Sequence, residues 1–88
     1  MDEMTDEQRK LARHALGLDN PASGGKSYRN RYFAGRGHSA WSALHDMVGK
    51  GWVNLEDVRG ETLFTMNRRG AEMVLEKGET LDPEDFAS

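Results

Sequence analysis

Trp41-Ser42-Ala43-Leu44-His45-Asp46-Met47-Val48-Gly49-Lys50-Gly51-Trp52-Val53 is the stretch whose periodicity decides the fold. Trp41, Leu44, Met47 and Val48 recur at helical spacing as one apolar stripe, Ser39 offers an N-cap hydroxyl, and Gly49-Lys50-Gly51 stops the run. The spacing predicts a helix over 40–49. Directly after it, Trp52-Val53-Asn54-Leu55 and Thr62-Leu63-Phe64-Thr65-Met66 read as two strands, joined by a connection over 56–61 in which Arg59-Gly60 supplies the turn. Asn67 then caps a further helix over 68–77, with Ala71, Val74 and Leu75 inward and Gly78 beyond its end.

Upstream, Thr5-Asp6-Glu7-Gln8 places a hydroxyl at an N-cap, a Gln three residues on, and two acids in the electropositive first turn. Leu11, Ala12, Ala15 and Leu16 follow at helical spacing, and Gly17 is placed to end the helix in a left-handed cap with Leu18 folding back. A helix over 6–16 is expected. Asp19-Asn20-Pro21 forbids continuation, and Ala22-Ser23-Gly24-Gly25 has linker chemistry. Between this linker and Gly35, the run Ser27-Tyr28-Arg29-Asn30-Arg31-Tyr32-Phe33 fits either a helical face or a short strand. An isolated hairpin is marginal in water, so the strands must lie on the helices. The fold class is α+β: three helices and a two-stranded hairpin closing on Leu11, Leu16, Trp41, Leu44, Val48, Trp52, Leu63, Phe64, Val74 and Leu75.

The chain has 88 residues and no Cys, with 12 Lys+Arg against 15 Asp+Glu for a formal charge of −3. This length suits one domain over 1–78, with 19–38 as a Gly-rich, basic and aromatic connecting segment and 79–88 as an acidic flexible tail. Without Cys there is neither a disulfide framework nor a thiolate zinc site. No apolar run approaches the ~18 residues that cross a bilayer, and the acidic start Met1-Asp2-Glu3-Met4 is unlike a secretory signal, so the expected compartment is cytoplasmic and no membrane partner is expected.

The charge is unevenly placed. Residues 20–45 contain no acid and carry Lys26, Arg29, Arg31 and Arg36, a local +4 between acidic flanks. The same window holds Tyr28, Tyr32, Phe33, His38, Trp41 and His45. Guanidinium groups alternating with rings suit stacking on bases or anchoring a protein partner. The binding candidates are Lys26, Tyr28, Arg29, Arg31, Tyr32, Arg36, His38, Ser42, His45 and Lys50.

Catalytic and metal chemistry find less support. Ser23-Gly24-Gly25-Lys26-Ser27 resembles the end of a phosphate-binding P-loop, but Asn20 stands where its first Gly belongs, and no strand precedes it. His14, His38 and His45 share no metal-ligand spacing; His14 reads as a solvated residue near a helix C-terminus, and His45-Asp46 as a solvent-facing pair. Trp41 and Trp52 both read as core. No enzyme activity, catalytic residue, cofactor or metal is expected.

The pattern Trp41-x-x-Leu44-x-x-Met47-Val48-x-Lys50-Gly51-Trp52-Val53, a hairpin, and then Phe64-x-Met66-Asn67-x-x-Gly70-x-x-x-Val74 resembles the second half of winged-helix domains. In this order, Leu11-Ala12-Arg13-His14-Ala15-Leu16-Gly17-Leu18 and Ser27-Tyr28-Arg29-Asn30-Arg31-Tyr32-Phe33-Ala34-Gly35 look like a family of small phage- and prophage-encoded proteins of unassigned function. The winged-helix likeness implies a DNA-binding module in which helix 40–49 is the recognition helix, 56–61 the wing tip, and 27–33 the place of a preceding short helix. The chain departs from that pattern: Ser42, His45 and Asp46 are poor base readers, and Glu56, Asp57 and Glu61 at the wing repel phosphate. A protein-interaction or phage structural module meeting an acidic partner is the alternative.

Overall fold

The first helix starts where its capping signals lie. Thr5 Oγ1 accepts from Gln8 N and Gln8 Oε1 accepts from Thr5 N, a complete capping box opening α1 (Asp6–Leu16). The computed structural model describes residues 3–86. After a 3₁₀ turn over Pro21–Ser23 come a short strand β1 (Tyr32–Phe33), helix α2 (Trp41–Gly49), the hairpin strands β2 (Val53–Val58) and β3 (Glu61–Met66), and helix α3 (Arg68–Met73).

The expected α+β class holds, but the sheet has three strands rather than two. β3 is central in the order β1-β3-β2, both pairings antiparallel, with Tyr32 opposite Phe64 and Phe33 opposite Leu63. The aromatic run at 27–33 thus resolves as extended chain ending in a strand, not as a short helix. Its strand is only two residues long, too short to show an alternating pattern in the sequence.

The hairpin is tighter than expected. Residues 56–58 and 61 belong to the strands, Val58 pairs with Glu61, and the turn is Arg59-Gly60 alone, both at positive φ (53° and 83°). Two left-handed residues are the type I′ geometry that matches strand twist. The acids expected in a wing loop therefore stand on β2 and β3.

The core lies between the sheet and the helices. Leu16, Leu44, Trp52, Phe64 and Val74 are buried as expected, and Leu11, Trp41, Val48 and Leu75 are half-buried against them. Leu63 is half-buried, while Met47, Val53, Met66 and Phe86 are buried beyond the expected set. Gly70 is where α3 meets Trp52. A Cβ there would overlap the Trp52 carbonyl and the Met66 side chain, so only Gly permits this approach.

Two helix boundaries differ from the sequence reading. Ser39 does not cap α2; the cap position is Ala40, whose N–H is taken by His38 Nδ1 at 3.0 Å, and Trp41 N donates to the His38 carbonyl. α2 grows out of a preceding turn, so its first donors are already engaged. α3 is capped by Asn67 as expected but ends at Met73, not 77, because Arg9 and Arg13 from α1 take the Met73 and Val74 carbonyls.

Of residues 79–88, expected as a loose acidic tail, 79–86 are instead fastened to the domain, and 87–88 lie outside the described residues. Lys26 and Thr80 form a parallel bridge, Asp82 N donates to Ser27 Oγ at 2.8 Å, and Phe86 is buried. Glu79 makes a two-pronged contact with Arg13 (2.6 and 2.7 Å), both side chains largely withdrawn from solvent. Composition conceals this because the acid that matters is paired with a base 66 residues away.

Arg13 holds the Glu79 carboxyl below its usual range, chiefly through the hydrogen bonds, and is itself raised by them. A depressed carboxylate contributes stability that is complete above its unfolded pKa and is lost as pH falls through the folded one. Glu79→Gln should therefore cost about 2 kcal/mol at neutral pH. In urea unfolding, its difference from wild type should shrink as pH falls through the acid range; a pH-independent difference would contradict the pairing.

Candidate nucleic-acid interface at the end of the first helix

A helix leaves its last four carbonyls without intrahelical donors. At the end of α1 all four are engaged. Gly17 is left-handed (φ 80°), with Gly17 N donating to the His14 carbonyl and Leu18 N to that of Arg13, the Schellman arrangement. The Leu16 carbonyl accepts from Tyr28 N at 3.2 Å and that of Ala15 from Arg31 N at 3.1 Å. The His14 carbonyl also takes Arg29 Nε and Nη2 at 3.1 and 2.6 Å, where a cation meets the negative helix end. Gly17 has a second duty, since a Cβ there would overlap the Tyr28 ring.

The other side of this segment is held by Asn30. Its Oδ1 accepts from Met66 N at 2.7 Å and its Nδ2 donates to the Met66 carbonyl at 2.8 Å. Tyr32 pairs with Phe64, so the Asn30 amide occupies the next rung of that ladder and extends β1 with a side chain. Residues 28–33 are thus strung between the end of α1 and the central strand.

The result is an open cleft of about 300 Å³ lined by His14, Arg29, Arg31, Tyr32, Phe33 and His38. Tyr32 stands between the two imidazoles, edge-on to His14 (5.5 Å between ring centres) and to His38 (5.9 Å). Phe33 is 45% exposed. Among the described residues, no carboxylate pairs with Lys26, Arg29, Arg31 or Arg36. Asp19 is bonded to His14 Nδ1 at 2.8 Å, an acid on the imidazole rather than on a guanidinium.

Arg29, Arg31, Tyr32 and His38 from the sequence candidates come together in this cleft. Tyr28 packs beside it, its hydroxyl accepting from Asn20 Nδ2 and its ring under the Arg29 guanidinium at 5.4 Å. Beyond His38, Arg36 lies over Trp41 at 6.0 Å, and His45 stacks on the same indole at 5.5 Å. His45 and Asp46 both face solvent as expected, with His45 against Trp41 and the Asp46 carboxylate accepting from Gln8 Nε2.

Lys26, Ser42 and Lys50 are not among the residues that line the cleft. Lys26 sits at the bridge to Thr80, Ser42 is exposed on α2, and Lys50 lies over Trp52 at 5.9 Å. The sequence reading missed His14 and Phe33 as cleft residues. Phe33 carried a signal, being in the same aromatic and cationic run. His14 carried none, because only the docking of 28–31 onto α1 brings it there.

The cleft offers two guanidinium groups for an anion and exposed ring surface for stacking. Among the described residues, no group of three or more His, Asp or Glu side chains is placed to hold a metal, and no helix is long and apolar enough to cross a membrane.

Asn30 is the residue on which this geometry turns. Asn30→Ala leaves both Met66 backbone groups unpaired and should cost about 3 kcal/mol in chemical unfolding, at 1–3 kcal/mol per buried orphan. A loss under about 0.5 kcal/mol, the size of an ordinary surface substitution, would contradict the clamp. No protein-family model, curated protein or solved structure matches the chain, so the reading of this cleft rests on its own geometry.

Proposed function

We propose that this chain is a small non-catalytic nucleic-acid-binding module that engages phosphates through the cleft at the end of α1, with Arg36, Trp41 and His45 as its rim. One observation carries the reading: Arg29 and Arg31 share the cleft with Tyr32 and the exposed Phe33, Arg36 lies over the half-buried Trp41, and none of the three has a carboxylate partner among the described residues. Unpaired cations gathered on one face are the electrostatic footprint of a polyanion site.

The order helix, short strand, helix, hairpin, with β1 on β3, supports a winged-helix-like architecture, and the phage-protein likeness suggests a phage-derived module. The departures bear on where contacts lie. No helix separates β1 from α2, the outward face of α2 offers Ser42, His45 and Asp46, and the hairpin exposes Glu56, Asp57 and Glu61. These features move the contacts from helix and wing to the basic cleft. A second reading, an acidic protein partner on the same cleft, gains from the acidic hairpin and the net charge of −3, because these repel a polyanion as densely charged as nucleic acid more strongly than a protein surface of lower charge density.

Salt separates the two readings from simple failure to bind. Three cations, Arg29, Arg31 and Arg36, give an expected slope of log K against log salt of roughly −2 to −3, the exact value depending on strandedness. Arg31→Gln with Arg36→Gln should reduce its magnitude by about 1.5 to 2 while leaving thermal stability unchanged, since both side chains are exposed. Absence of binding to duplex and single strand alike at low salt, or an unchanged slope in the double variant, would overturn the nucleic-acid reading.

A further inference from the structure

We infer that the cleft receives one unpaired nucleotide of a single-stranded nucleic acid, its base against Phe33 and its phosphate between Arg29 and Arg31. The inference rests on the nucleic-acid reading above and narrows it to a ligand class.

Shape is the first argument. A protein reads a duplex by inserting something convex, a helix or a ribbon, into a groove. Here the cationic and aromatic groups line an open concavity, which suits a group that projects from the nucleic acid better than the broad surface of a duplex. A base projects when it is unpaired. At about 300 Å³ the cleft lies at the small end of ligand sites, the scale of one nucleotide rather than of a helix surface.

The chemistry of the walls is the second. Phe33 lies on β1, at one edge of the sheet, and keeps nearly half its surface in solvent. A ring so placed has little to hold in the core and a face free for stacking, which tolerates any base. Tyr32 beside it is fixed by edge contacts to His14 and His38. The Arg29 guanidinium is held by its two bonds to the His14 carbonyl, so that cation is set before a ligand arrives, while the Arg31 backbone bond to Ala15 fixes the point from which its side chain reaches the cleft. Preorganisation lowers the ordering cost of binding.

The third argument is what lies elsewhere. The outward face of α2 presents Ser42, His45 and Asp46, without the Arg, Asn or Gln that make bidentate contacts to bases in a groove. The cleft, not the helix, holds the groups that recognise nucleotides.

The test is fluorescence anisotropy at low salt with the full chain and four labelled probes of equal phosphate number: oligo(dT), oligo(rU), an abasic oligodeoxynucleotide and a blunt duplex. Either single strand should bind more tightly than the duplex and the abasic probe. Phe33→Ala should weaken single-strand binding at least fivefold, the loss of one base–ring stack. Phe33→Tyr, which keeps a stacking ring, should restore it, and circular dichroism should show both variants folded. Equal or tighter binding of the duplex, or single-strand affinity indifferent to Phe33→Ala and to the abasic probe, would overturn the unpaired-nucleotide inference. The nucleic-acid reading would survive that result if Arg31→Gln still lowered the salt slope. Failure of all four probes to bind would end both.

Discussion

Four backbone carbonyls at the end of α1, those of Arg13, His14, Ala15 and Leu16, organise the half of this small domain that carries the cleft. A helix end packed against other chain must find donors for such groups or lose about 1–3 kcal/mol for each one buried unpaired. Here Gly17 and Leu18 serve the inner pair through the left-handed cap, Tyr28 and Arg31 serve the outer pair from a segment that would otherwise be a glycine-rich loop, and Arg29 adds further donors to the His14 carbonyl. The fold requirement and the site are therefore the same set of bonds. Satisfying the helix end places a guanidinium at the negative pole of α1 and brings His14 beside Tyr32.

This explains how a mildly acidic chain can present a cationic face. The average charge of −3 hides a central window of +4, and folding does not neutralise that window, since the described carboxylates engage Arg13, Arg68 and His14 instead. Arg13 anchors Glu79 and so helps fasten residues 79–86, and among the described residues no acid of that segment pairs with a cleft cation. The arginines of α1 thereby hold the C-terminal part of the chain, while Arg29, Arg31 and Arg36 carry no carboxylate partner among the described residues. The acidic hairpin stands as the opposing feature, and under the proposed function its Glu56, Asp57 and Glu61 repel a polyanion from the Arg59-Gly60 end of the sheet.

What was legible in the sequence was whatever depends on local chemistry. The Thr5–Gln8 capping box, the Gly17 cap, the stripe of α2, the Asn67 cap and the positive-φ pair at Arg59-Gly60 are each encoded within a few residues, and each is found in the structure. The third strand was not legible, because two residues cannot display a period and half of its continuation is the Asn30 side chain rather than backbone. The early end of α3 and the fastening of 79–86 depend on Arg9 and Arg13, more than 60 positions away in sequence. The cationic and aromatic segment was legible as a composition anomaly. Its closure into a cleft, with His14 and Phe33 as walls and Lys26, Ser42 and Lys50 outside, was decided by how the segment docks on α1 and β3.

The central claim is that the cleft at the end of α1, not the second helix or the hairpin, is where this chain meets nucleic acid. A titration of the isotopically labelled protein with a short oligonucleotide at low salt, followed by amide chemical shifts, tests it residue by residue. The account predicts shifts concentrated at His14 to Gly17 and Tyr28 to His38, with Asn54 to Glu61 unmoved. Shifts confined to the hairpin and the outward face of α2, or none in either region, would contradict it.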